Sequence, residues 1–138
     1  MIDCNPVLIP VWRIPIEFPV HSVAVLIVED EPLIRIEAAT AIEEAGFEVY
    51  QAGNAGQAVR LLAECCNIGV LFTDVEMPGS MNGLELACYA EAHFSPIRII
   101  VTSGRRKIED AMLPAESCFV SKPYRLEQVI DKLRQMAA

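Results

Sequence analysis

The chain of 138 residues lacks several features that would assign it to a class at once. It has no run of about 20 uninterrupted apolar residues, so nothing in it reads as a membrane-spanning helix. Residues 1–22 come nearest, but Pro6, Pro10, Pro15 and Pro19 interrupt them and Arg13 is their one basic residue. A secretory leader needs a basic start and an unbroken apolar centre. Positive charge is scarce: 11 Lys and Arg stand against 19 Asp and Glu, for a formal charge of −8. No basic stripe appears, which argues against direct contact with nucleic acid. Histidine is reduced to His21 and His93, neither at ligand spacing from a cysteine, so a zinc site is not expected. The cysteines, Cys4, Cys65, Cys66, Cys88 and Cys118, are odd in number and form no CxxC pair. They read as buried or half-buried thiols of a reducing cytoplasm rather than as a disulfide framework.

What is present is a globular composition, 53% hydrophobic and 22% charged, of a length that suits one domain. A boundary falls near Ser22. Residues 1–22 form an N-terminal arm in which proline favours extended structure. Trp12, Ile14, Ile16 and Phe18 alternate there with Arg13, Pro15 and Glu17, the pattern of an edge strand or packing arm. A mis-assigned start codon explains the arm equally well, and dimerisation through it stays open.

Residues 23–138 are regular. Residues 23–28 read as a buried strand. Glu31-Pro32 opens a helix whose apolar face is Ile34, Ala38, Ala41, Ile42 and Ala45, with Gly46 as its stop. A strand over 47–52 follows, then a helix capped by Asn54 with Ala55, Ala58, Val59 and Leu62 on one face. Residues 68–73 read as a third strand, 84 to about 93 as a helix that Pro96 ends, and 97–101 as a fourth strand. A short helix over 108–112 is limited by Pro114. A fifth strand covers 118–121, and Leu126, Val129, Ile130 and Leu133 mark a last helix. Strands alternating with helices predict an α/β domain, with a doubly wound five-stranded parallel sheet covered on both faces.

Four of these strands end in residues able to touch a phosphate or a metal. The first ends in Glu29-Asp30, the third in Asp74, the fourth in Thr102 and the fifth in Lys122-Pro123. Ligands of open α/β sheets bind at that carboxyl edge. The first and third strands of such a sheet are neighbours, which brings three carboxylates together. Three anions in one pocket repel unless a cation joins them, and hard oxygen donors suit Mg²⁺. Lys122 could pair with the acids or with a phosphate on Asp74. The hydroxyl of Thr102, or of its neighbour Ser103, could donate to a phosphate oxygen.

These residues carry a resemblance. Glu29-Asp30-Glu31 after the first strand, Thr73-Asp74 with Met77-Pro78, Asn82-Gly83-Leu84, Val101-Thr102-Ser103-Gly104 and Ser121-Lys122-Pro123-Tyr124 stand in the order found in receiver domains of bacterial response regulators, of the CheY-like type. The chain resembles that family from about Val23 to Met136. The resemblance implies a flavodoxin-like (βα)5 fold with strand order 2-1-3-4-5. It also implies a phosphoacceptor (Asp74), metal ligands for Mg²⁺ (Asp30, Asp74, the backbone carbonyl of Glu76, and Glu29 through charge and a water), and a counter-charge (Lys122). Thr102 and Phe119 would be the switch residues.

The implied partners are a sensor histidine kinase or phosphotransfer protein, and a downstream protein of unknown identity. Self-catalysed phosphotransfer and autodephosphorylation, rather than turnover of an external substrate, are the implied chemistry. The implied setting is a cytoplasmic, stand-alone receiver. The loop after Asp74 is one residue longer than is usual, and the stretch between Thr102 and Phe119 is short and carries Arg105, Arg106 and Lys107. A short or displaced helix is expected there. Two other readings stay open. One is a binding module or phosphate sink whose output ignores phosphorylation. The other is a small phosphatase with Asp74 as nucleophile, for which Glu76 stands where an aspartate would serve as general acid.

Overall fold

The computed structural model describes residues 23–104, 113–114 and 117–137. The alternation of the arm, the basic run at 105–107, the helix expected over 108–112 and Cys4 lie outside these residues. The described elements run β1 (Ala24–Val28), α1 (Pro32–Glu44), β2 (Glu48–Ala52), α2 (Ala55–Glu64), β3 (Ile68–Asp74), α3 (Gly83–Phe94), β4 (Arg98–Ser103), β5 (Ser117–Ser121) and α4 (Leu126–Ala137). The five strands form one sheet in the order β2-β1-β3-β4-β5, all parallel. This is the doubly wound arrangement expected from the alternation.

Strands β1, β3 and β4 are buried on both faces because helices cover both. Leu26, Val28, Leu71, Ile99 and Val101 pack with Ala58, Leu62, Leu86 and Ala90 of α2 and α3. Val25, Ile27, Val70, Phe72 and Ile100 face the other way, onto Ala38, Ile42, Val129 and Leu133 of α1 and α4. Alternate residues of one strand thus serve two cores, as a two-residue period requires.

The helix boundaries follow local chemistry. Pro32 occupies the first turn of α1, where its missing N–H costs nothing, and Gly46 follows the helix at φ 105°. Asn54 caps α2 through Gln57 N, and Asn82 with Glu85 forms a capping box on α3. Lys122–Pro123 and Ser95–Pro96 are cis.

Two expectations need correction. The buried face of α1 is Ala38, Ala39 and Ile42; Ile34 is 39% exposed, beside Leu33 at 80% and Ile36 at 50%. Ile34 lies at the carboxyl edge of the sheet, lining the cavities beside Asp74 and Thr102 rather than packing into the core. Cys66 and Cys88 are exposed rather than buried, because α2 ends at Glu64 and Cys88 falls on the outer side of α3.

The strand register sets the next level of structure. Val28 pairs with Thr73, Asp74 with Thr102, and Ser103 with Ser121. Glu29 therefore lies level with Asp74 and Thr102, and Lys122 emerges one residue past the last pair. A register shift between Ala24 and Val25 makes this alignment. Gly69 sits in that shift, where a Cβ would fall 2.1 Å from Val23 Cγ1.

Candidate functional site

The carboxylates of Glu29, Asp30 and Asp74 each offer an oxygen within 4.8 Å of the others. Glu29 and Asp74 are buried and Asp30 is exposed. Lys122 Nζ lies 3.2 Å from Asp74 Oδ2 and 3.4 Å from Glu29 Oε1. One ammonium thus faces three acids, in a cavity of about 560 Å³ also lined by Glu76, Met77 and Gly104. Like charges at such separations repel by about 3–4 kcal/mol per pair at an effective dielectric of about 20. Lys122 compensates only one charge of the three.

Titration behaviour follows. Burial raises the carboxyl of Asp74 above its ordinary value, against the lowering effect of Lys122 and of Glu76 N–H. Burial likewise raises Glu29, against the Glu31 N–H bond and Lys122. Burial pulls the Lys122 ammonium down, but Asp74 and Glu29 outweigh it and its pKa is raised. The pocket thus holds its protons more tightly than free side chains would. The donor set fits a hard divalent cation: all oxygen, compact, and short of positive charge.

Backbone bonds set the acceptor loop. Val75 N donates to Thr102 O at 2.9 Å, Glu76 N to Asp74 Oδ1 at 3.3 Å, and Gly83 N to Val75 O at 2.9 Å. Sequence reading gives Gly83 no role beyond its motif. A Cβ there would fall 1.8 Å from Asp74 O, so only glycine lets α3 start against the strand that carries Asp74. The residue's signal in sequence is its place after the capping Asn82.

The hydroxyls divide between two environments. Ser103 Oγ donates to Glu76 Oε2 at 2.5 Å, tying the β4 end to the loop after Asp74. Thr102 Oγ1 is buried and, among the described residues, is the one buried side-chain polar atom without a hydrogen-bond partner. A buried hydroxyl left unpaired costs about 1–3 kcal/mol. Thr102→Val keeps the shape and removes the orphan oxygen. It is expected to raise stability by about 1 kcal/mol in urea unfolding, while weakening any response that needs the hydroxyl. Lower stability in the variant would show that the oxygen is satisfied in solution. Phe119 is half-buried on β5 and packs against the α2–α3 core.

Comparison with known proteins agrees with this geometry. The family model for the response regulator receiver domain matches residues 25–134. The transcriptional regulatory protein AruR of Pseudomonas aeruginosa is 31% identical over 119 residues, covering 81% of this chain and 48% of that protein. The response regulator receiver protein CpdR of Brucella abortus is 29% identical over 115 residues, covering 81% of this chain and 94% of CpdR. The chain thus spans about half of AruR and nearly all of CpdR. Among solved structures, the receiver domain of the hybrid histidine kinase CckA superposes with a TM-score of 0.72 at 26% identity, over 83% of this chain and 99% of that one. With its 2-1-3-4-5 sheet and its acids at the carboxyl edge, this chain belongs to the response regulator receiver domain family of two-component systems.

Proposed function

We propose that the chain accepts a phosphoryl group on Asp74 from a phosphohistidine of a sensor histidine kinase or phosphotransfer protein, and signals through protein contacts. The observation that carries this reading is the buried Asp74 carboxylate, level with Glu29 and Thr102 and 3.2 Å from Lys122. In the step, an Asp74 oxygen attacks phosphorus in line. The P–O bond forms as the P–N bond breaks, and the imidazole leaves with the electron pair and takes up a proton. The product is an acyl phosphate that water later hydrolyses. Lys122, released from carboxylate pairing, then faces a phosphoryl oxygen, and Thr102 Oγ1 gains the partner it lacks. Glu29, Asp30, Asp74 and the Glu76 carbonyl would hold Mg²⁺, which when bound neutralises charge on the transferred group. Phosphorylation adds about −1.5 to −2 charge, enough to bias a two-state loop and Phe119. Among the described residues no helix is long and apolar enough to cross a membrane. A donor of this kind, together with free thiols at Cys65, Cys66, Cys88 and Cys118, supports a cytoplasmic setting.

The first turn of α1 supports a protein donor. Ile34 lines the cavity that holds Asp74, and Leu33 and Ile36 are exposed apolar side chains of the same helix end. A donor presenting histidine to Asp74 would cover them. Phosphotransfer profiling against histidine kinases tests the proposal, with acetyl phosphate as the small donor. Leu33→Glu with Ile36→Glu is expected to slow protein-donor transfer by roughly tenfold or more, since burying one such side chain is worth about 1.5–3 kcal/mol. The acetyl phosphate rate is expected to stay unchanged. Equal slowing with both donors would remove α1 from the donor interface.

A further inference from the structure

Arg35 is the only basic residue of α1, and it points back at the strand end that precedes the helix. Its Nη1 donates to the Glu29 carbonyl at 2.9 Å, and its Nε donates to Gln51 Oε1 of β2 at 3.2 Å. Gly53 leaves room for this side chain, since a Cβ there would come within 3.3 Å of Nη1. The bond to Glu29 forms where the sheet stops helping. The last pair of β1 with β2 is Val28 with Ala52, and the ladder ends with Glu29 N on Ala52 O at 3.1 Å. Beyond it the Glu29 carbonyl has left the strand, and Asp30 sits exposed between the strand and Pro32. This turn carries two of the three acids, and their mutual repulsion pushes it away from Asp74.

We infer that Arg35 is a positioning residue for the acidic pocket. Its planar fork ties the Glu29 carbonyl to β2 and holds the Glu29-Asp30 turn facing Asp74 before any cation arrives. The inference rests on the reading that this pocket takes Mg²⁺. Preorganisation of this kind lowers the cost of binding, because repelling ligands are already gathered. Partners one step removed from a metal typically change its affinity by about 10–100-fold when removed.

The sign of the effect separates this role from a simple field. Arg35 is a cation near a cation site, so its charge alone opposes Mg²⁺, and removing it would tighten binding. Loss of positioning weakens binding. The test is isothermal titration of the full chain with Mg²⁺ alone, for the parent protein, Arg35→Met and Gln51→Ala, with the melting temperature of each measured without metal. Arg35→Met is expected to weaken Mg²⁺ about tenfold, with a metal-free melting temperature close to the parent's. Gln51→Ala is expected to weaken it about two- to threefold, since only one exposed hydrogen bond is lost. Unchanged or tighter affinity in Arg35→Met overturns the inference. If that variant does not fold, Gln51→Ala decides on the same criterion. Absence of Mg²⁺ binding by the parent chain would sink the metal reading itself, and this inference with it.

Discussion

Asp74→Asn is expected to abolish Mg²⁺-dependent labelling by acetyl phosphate or phosphoramidate, a loss of roughly a thousandfold or more, as when a nucleophile itself is removed. Labelling that survived would move the acceptor elsewhere and end the proposed function. The same variant carries its own folding control. Burial holds the Asp74 carboxyl above its ordinary value even with Lys122 alongside, so its ionised form costs the native state stability. In linkage terms, the native state binds more protons than the unfolded state between the ordinary carboxylate value, about 4, and the raised native one. Stability therefore falls as pH rises through that window. Without metal, Asp74→Asn should melt above the parent at neutral pH. The advantage should shrink as pH falls through the raised native value towards the ordinary one, about 4, as the parent's carboxyl takes up its proton. A variant that melts lower at pH 7 would show that the Lys122 ion pair outweighs burial.

The second large effect is the response to the metal. Mg²⁺ at 100 times its dissociation constant is expected to stabilise the fold by about 2.7 kcal/mol, raising the melting temperature of a domain this size by roughly 10 °C. Asp30→Asn should remove most of that gain and make labelling depend on far higher Mg²⁺. Asp30 is exposed, so its replacement costs the metal-free fold little. Chelation should stop labelling of the parent chain altogether. A melting temperature indifferent to Mg²⁺, with labelling intact after chelation, would leave the three acids without a metal to share. Paired with Arg35→Met, the two measurements separate a ligand from the residue that holds ligands in place.

Much of the architecture is legible in the chain itself. Runs such as residues 25–28 and 70–72 are apolar at every position, which only a strand buried on both faces requires. Pro32, Asn54, Asn82 and Gly46 mark helix ends by chemistry that acts within a few residues. The residues at the strand ends can be read off in the same way, because each directly follows its run. Burial of α1 is less legible. Ile34 has the right period to face the core and instead lines the open cavity at the sheet edge, since period gives the side of a helix and not what each of its turns meets.

Local sequence by itself determined five strands, their alternation with helices, and the chemical type that stands at each strand end. These depend on backbone propensity, capping and two- or 3.6-residue periods, all short-range. Tertiary structure alone decided how far apart those ends lie: the carboxylate oxygens of Glu29, Asp30 and Asp74 within 4.8 Å, and Lys122 Nζ 3.2 Å from Asp74. It also decided that Ser103 is tied to Glu76 while Thr102 Oγ1 is left unpaired, that Gly83 must clear the Asp74 backbone, and that Arg35 reaches the Glu29 carbonyl. Each of these joins residues on different strands and helices. Strand order and the shift at Gly69 set their separation, and a register offset of one residue would undo them while leaving every local signal unchanged.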